Sequence, residues 1–295
     1  MIALLLLPLL LAQTAPAQPL TLDAATQQIE KIIAASGADV SVAYRPLPGP
    51  DGTAADGILI DADKTFHAAS TMKVPVMIEL FRQAEAGRLS LDDPIPVTNT
   101  FKSIVDGSPY QLSATEDSDG EVYKAIGRTM TLRQLVTASI IVSSNLATNI
   151  LIETLGPENV RKTVAALGGD GMVVLRGVED QKAFDKGLNN TTTARALMVL
   201  LEKIARGEAV SRAASRGMAD ILRMQQFNDA IPAGLPPDVP VGHKTGSITR
   251  INHDAAIVYA AQPYVLVVLT RGIQDGAKSS ALIADISRVI FSTRR

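Results

Sequence analysis

Strand-like hydrophobic runs lie near the two ends of this 295-residue chain, and helical periodicity fills the long stretch between them. That order constrains the fold more than any other feature. Strands so far apart in sequence can share one sheet only if the helical middle is an insertion. Leu22 to Ala35 reads as a helix, with Leu22, Ala25, Ile29, Ile32 and Ile33 on one face and Gly37 as its stop. Val40 to Tyr44 and Gly57 to Ile60 read as strands around the turn residues Pro48-Gly49-Pro50-Asp51-Gly52. Helices are predicted over Thr71 to Ala84, after the capping box of Thr131 and Gln134, and over Ala147 to Leu155 and Glu158 to Leu167. Thr192 to Ala205 and Ser211 to Gln226 follow. Val239 to Lys244, Ala255 to Ala260 and Tyr264 to Thr270 then read as an antiparallel meander, closed by a helix over Ser280 to Phe291. The expected fold class is α/β plus α. An antiparallel sheet, flanked by the N- and C-terminal helices, is built from 18–68 and 215–295, and an all-helical domain over 69–214 is inserted between.

The first residues read as a signal peptide over 1–17. Ile2 to Ala12 is almost wholly apolar but too short to span a bilayer, and Ala15-Pro16-Ala17 is a cleavage-site pattern. The mature chain is then expected to start near Gln18 and to be exported, to the periplasm or outside the cell, without a stable membrane anchor. The absence of cysteine excludes disulfides, Fe–S clusters and a thiol nucleophile. Three histidines, His67, His243 and His253, show no metal-pair spacing, so no metal or other cofactor is expected. A net charge of −2 forces no basic patch, so no nucleic-acid partner is expected. The expected partner is a small-molecule substrate, met by a monomer. The acidic stretch Glu116 to Glu121 reads as a solvated loop without a function.

Three short motifs carry candidate chemistry. Ser70-Thr71-Met72-Lys73 opens a helix, and residues three apart share a face, so the lysine amine can reach the serine hydroxyl and take its proton if burial lowers its pKa. The bland readings are a helix cap and a solvated lysine. Ser143-Ser144-Asn145 falls between two helices, and Lys244-Thr245-Gly246-Ser247 lies on a strand leading into a turn. Each alone could be ordinary turn chemistry. Together, in this order, they match S-x-x-K, S-x-N and K-T-G.

On these residues the chain resembles the penicillin-recognising serine hydrolases, most closely the class A β-lactamases. The resemblance covers nearly the whole mature chain and includes the order of elements. It implies the β-lactamase/transpeptidase-like fold and a serine β-lactamase that hydrolyses the β-lactam amide. Ser70 would be the nucleophile, with its own backbone N–H and that of Ser247 as the oxyanion hole. Lys73 would be the acylation base. Ser143 would pass a proton to the leaving nitrogen, and Asn145 would contact the substrate amide and Lys73. Lys244 and Thr245 would bind the substrate carboxylate, and Gly246 would let substrate lie close to the strand. Glu179, 36 residues after Ser143, would activate the deacylating water.

The chain departs from the family pattern at several points. Ala183 stands where an asparagine is expected four residues past the glutamate, and Asn190 replaces the aspartate of a loop-closing Arg–Asp pair. Extra length falls within Thr98 to Gly127. His253 and Asp254 could serve the carboxylate or the structure. A Ser-His-Asp triad is the sharper alternative for them, but the chain has no G-x-S-x-G elbow. Two other functions share Ser70 and Lys73: a D-Ala-D-Ala-type peptidase or esterase, and an acylation-only penicillin-binding protein.

Overall fold

The computed structural model describes residues 19–49 and 56–294. The expected signal peptide, the start near Gln18 and most of the turn at 48–52 lie outside the described residues. Helix α1 (Leu22–Ser36) is capped by Thr21 and stopped by Gly37 at φ 65°, a left-handed conformation that suits glycine. Strands β1 (Asp39–Pro46) and β2 (Ile58–Ile60) follow. The helical block holds α2 (Lys73–Glu85), α3 (Leu132–Ile141), α4 (Asn145–Leu155), α5 (Pro157–Ala166), α6 (Ala194–Ala205) and α7 (Arg212–Arg223). The chain then returns through β3 (Val241–Ile248), β4 (Ile251–Val258) and β5 (Tyr264–Arg271) and ends in α8 (Gly276–Ser292).

Those five strands form one antiparallel sheet in the order β2-β1-β5-β4-β3. The two ends of the chain meet where β1 pairs with β5, from Asp39 opposite Arg271 to Pro46 opposite Tyr264. Strand β5 is central, and its apolar run is buried on both faces. Val265, Val267 and Leu269 face the helical block, while Tyr264, Leu266 and Val268 face a second core with Ile29 of α1 and Ile283, Ile286 and Ile290 of α8. Burying each such side chain stabilises the fold by about 1.5–3 kcal/mol relative to exposure.

Two elements differ from the sequence reading, and both bear on function. Helix α2 is buried on nearly every side, from Lys73 to Phe81, and so encloses Lys73 and Glu79 as well as its apolar side chains. It is entered through a tight 3-10 turn, Ala69–Met72, so Ser70 lies before the α-helix proper. Strand β3 does not end at Lys244 but runs on to Ile248 before the turn at Thr249-Arg250, so Lys244-Thr245-Gly246 lies wholly on the strand that leads into that turn. Pairing with β4 holds Gly246 opposite His253 and Ser247 opposite Asn252, and that tertiary pairing overrides the turn preference of Gly and Ser. No helix among the described residues is long and apolar enough to cross a membrane.

Candidate active site

The three motifs converge at the junction of β3, the turn before α2 and the turn before α4. Ser70 and Lys73 stand three apart across a 3-10 turn, where residues i and i+3 eclipse, so both side chains leave on one side. The turn is held from below. His67 Nδ1 accepts the Ala69 N–H at 3.0 Å, and the Ala68 N–H donates to the Asn190 carbonyl at 2.8 Å. On β3, a methyl group added to Gly246 would lie 3.1 Å from the Ser70 nitrogen. The glycine therefore lets an edge strand approach the Ser70 backbone. As an edge strand, β3 also leaves backbone N–H and C=O groups unpaired along its outer side.

Lys73 is 1% exposed. Its ammonium donates to the Ser143 carbonyl at 2.7 Å, the Ser143 Oγ at 3.2 Å and the Asn145 Oδ1 at 2.8 Å. The expected contact with Ser70 Oγ is not among its hydrogen bonds. The reason is supply: a three-proton donor is fully used by three acceptors. Burial pushes the Lys73 amine down to about 7, although Asp117 and Glu179 pull it upward. Lys244, fully buried, donates to the Ser143 Oγ at 2.9 Å and to the Thr245 carbonyl at 2.8 Å. Burial, and then the charge of Lys73, hold its amine well below the ordinary lysine value. Two buried lysines thus share one hydroxyl. The Ser143 Oγ accepts from both, which leaves its own proton free to be donated elsewhere.

Asn145 carries the connection onward. Its Oδ1 accepts from Lys73 while its Nδ2 donates to Glu179 Oε1 at 2.8 Å. Burial raises the Glu179 carboxyl above its usual value, against the hydrogen bond from Asn145 and the charge of Lys73. Ala69, Ser143 and Glu179 all adopt left-handed φ angles, of 46°, 60° and 62°. Such non-glycine conformations cost about 1–3 kcal/mol each and persist only where the surroundings impose them.

The surroundings include residues that the sequence reading missed. Asn149, one helical turn past Asn145, accepts the Val178 N–H at 2.6 Å and donates to the Val178 carbonyl at 3.0 Å, which fixes the residue before Glu179. Gly177 makes room for it, since an added methyl would lie 2.6 Å from Asn149 Oδ1. The available signal was an asparagine at i+4 from Asn145, on the same helical face. Asp180 accepts from Ser103 Oγ, the Ile104 N–H and the Ala183 N–H, so the long segment between the first two motifs braces the Glu179 loop.

The acidic stretch Glu116 to Glu121 is not simply a solvated loop, as the sequence suggested. Asp117 accepts from the Asn145 and Leu146 N–H groups, because the free donors at the start of α4 attract a carboxylate.

The loop that carries Glu179 closes without an ion pair. Asn190 Oδ1 accepts from the Leu175 and Arg176 N–H groups at 2.8 and 3.2 Å, and its Nδ2 donates to the Arg176 carbonyl at 3.0 Å. Arg176 itself donates to the Leu188 and Gly177 carbonyls and to Asn189 Oδ1. Ala183 is fully buried, and the nearby Gln181 amide turns to Asp185 at 2.6 Å.

His253 and Asp254 are not a pair. Adjacent strand residues point to opposite faces. His253 Nε2 donates to the His67 carbonyl at 2.9 Å, and burial pushes its pKa down to about 4, so it stays neutral. Asp254 instead receives His243 Nδ1 at 2.9 Å and the Ile231 N–H at 3.0 Å. Both are structural. Among the described residues, no three His, Cys, Asp or Glu side chains come together as a metal site.

The resulting cleft has two lobes that meet at Ser70, Asn145 and Ser247. One, of about 340 Å³, holds Glu179 among His67, Val178, Phe184 and Ile248. The other is polar and holds Ser143, Thr245, Asn252 and Ser280. Ser70 therefore stands between a carboxylate on one side and a doubly lysine-bonded hydroxyl on the other.

The model of the beta-lactamase enzyme family matches residues 24–293. A β-lactamase of Bacillus licheniformis is 28% identical over 270 residues, which is 87% of this chain and 76% of that one. The crystal structure of a β-lactamase from Sphaerobacter thermophilus superposes with a TM-score of 0.75 at 26% identity, covering 90% of this chain and 96% of the other. A mutant of the protein PBP-A, solved as an acyl-enzyme complex with penicillin G, shares the fold with a TM-score of 0.76 at 24% identity, over 95% of this chain and 99% of the other.

Proposed function

Because the chain belongs to the beta-lactamase enzyme family, we propose that it hydrolyses the β-lactam amide through an acyl-enzyme on Ser70 that water activated by Glu179 then frees. The observation that carries this reading is the Asn145 side chain, which joins Lys73 to Glu179 beside Ser70. One amide thereby ties the group needed for acylation to the group needed for deacylation.

In this reading the steps are these. Neutral Lys73 takes the Ser70 hydroxyl proton as Oγ bonds to the lactam carbonyl carbon. The carbonyl oxygen, now negative, is received by the backbone N–H groups of Ser70 and Ser247. The C–N bond breaks as the Ser143 proton moves to the nitrogen, and Lys73 returns a proton to Ser143 across their 3.2 Å contact. Lys244 and Thr245 meet the substrate carboxylate on the polar side. In the second half, Glu179 takes a proton from water as that water bonds to the ester carbonyl carbon; the bond from that carbon to Ser70 Oγ then breaks, and the proton returns to Oγ, which restores the Ser70 hydroxyl and the Glu179 carboxylate.

A second reading has its own support. Ala183 presents no amide to the water, and Gln181 is turned to Asp185. Slow deacylation would make the protein a wall peptidase or esterase, or an acylation-only penicillin-binding protein. Mixing the native chain with a chromogenic cephalosporin while following intact mass decides between them. Steady colour release with little retained acyl mass supports the β-lactamase. A stoichiometric burst followed by a retained acyl adduct supports the alternatives.

Export is also part of this reading, supported by the apolar Ile2–Ala12 run and the Ala15-Pro16-Ala17 pattern. N-terminal sequencing of the exported protein is expected to begin at or near Gln18, and a product retaining Met1 contradicts it.

A further inference from the structure

Asp117 belongs to neither the helical core nor any of the three motifs, yet both of its carboxylate oxygens are occupied at the catalytic turn. Oδ1 accepts the Asn145 N–H at 3.0 Å, and Oδ2 accepts the N–H groups of Asn145 and Leu146, each at 2.9 Å. The next residue, Ser118, donates its hydroxyl to the Val142 carbonyl at 2.5 Å. These contacts fall on either side of Ser143, whose backbone is left-handed. Ser144 is not available to do the same work, because its Oγ already accepts the Ala147 N–H. Without Asp117, the first two N–H groups of α4 would have no acceptor within the protein, at the end of the helix where the dipole is positive.

The carboxylate also lies in the electrostatic field of the base. The charged groups that face Lys73 come from three segments: Asp117 from this loop, Glu179 from the loop after α5, and Lys244 from β3. Helix α4 and the turn before it contribute only the uncharged Ser143 and Asn145. Asp117 holds the backbone N–H of Asn145, whose side-chain oxygen accepts from Lys73 at 2.8 Å, so its carboxylate stands one residue away from the base, and both acids pull the amine upward against burial.

We infer that Asp117 is a positioning residue of the catalytic centre, which holds the Ser143–Asn145 turn in place and sets a carboxylate beside the Asn145 side chain that bonds Lys73. This rests on the reading of Lys73 as the acylation base. Two consequences can be separated. Loss of the anchor loosens Ser143 and Asn145, so the maximal acylation rate falls by about 10-fold or more, as small misplacements in a catalytic set do. Loss of the charge removes a stabiliser of the Lys73 ammonium. Lys73 then sheds its proton at lower pH, and the acid limb of the acylation profile moves toward acid.

The test measures the rate of Ser70 acylation by penicillin against pH, by intact mass, for the native chain, Asp117→Asn and Asp119→Asn. The asparagine keeps the shape and one acceptor at position 117 but removes the charge. Asp119 sits in the same loop, but its carboxylate bonds only locally, to the Glu121 N–H, so its variant reports general damage to the loop. The expected result is a slower Asp117→Asn with its acid limb shifted to lower pH, beside an Asp119→Asn that matches the native profile. An Asp117→Asn variant with a native profile overturns the inference. So does one that is slower with its acid limb in place, or an Asp119→Asn variant that moves in the same way. The same profiles read with a fluorophosphonate, which labels an activated serine whatever its substrate, keep the two readings apart. Labelling of Ser70 by fluorophosphonate but not by penicillin sinks the β-lactam reading, while the shift in the acid limb still judges Asp117.

Discussion

Lys73→Ala is expected to slow the acylation of Ser70 by penicillin by about 10²–10⁴, the usual range for a lost general base. The physical basis is the depth of the amine. Burial brings it down to about 7, so a large share of the molecules carry a neutral lysine at neutral pH. The sign of the pH dependence follows. Below about 7 the lysine is protonated and cannot accept the serine proton, so native acylation should rise with pH through that value. In Lys73→Ala that limb should vanish together with the rate. Ser70→Ala supplies the baseline, with no covalent adduct at any pH. The measurement is time-resolved intact mass after mixing with penicillin, and an unchanged rate in Lys73→Ala would exclude the base role.

Glu179→Gln should have the opposite kinetic signature. Acylation should survive, because the amide oxygen can still accept from Asn145 Nδ2 and the loop is held independently by Asn149 and Asn190. Deacylation should fall by about 10²–10⁴, because an amide cannot take a proton from water. The acyl-enzyme is then trapped, and its mass persists. Turnover at the native rate would remove Glu179 from the mechanism. The raised carboxyl of Glu179 adds a pH signature: deacylation by the native chain should weaken as pH falls toward that raised value and the carboxylate is protonated.

Much of the architecture could be read locally. The predicted helices and strands match the observed ones closely, since period-2 and period-3.6 patterns, the Thr131–Gln134 capping box and Gly37 all act within a few residues. The insertion of a helical block between strands of one sheet followed from element order, and β1 does pair with β5.

What stayed open or misplaced depended on partners far along the chain. His253 and Asp254 are neighbours in sequence, but they serve different faces of the sheet and meet different partners, His67 and His243, which decides for the structural of their two readings. The strand that carries Lys244-Thr245-Gly246 was expected to end at Lys244, and pairing with β4 extends it to Ile248.

The sequence by itself determined the element order, the three motifs and the residue types available for chemistry, because those rest on short-range spacing and side-chain identity. Only the tertiary structure decided how those residues are charged and held. The drop in the Lys73 pKa comes from burial within packed helices. The left-handed turns at Ser143 and Glu179 persist because Asp117, Asn149 and Asn190 reach them from other segments. Desolvation and long-range hydrogen bonds have no local sequence period, so only the folded chain, which brings residue 117 against residue 145, makes them visible.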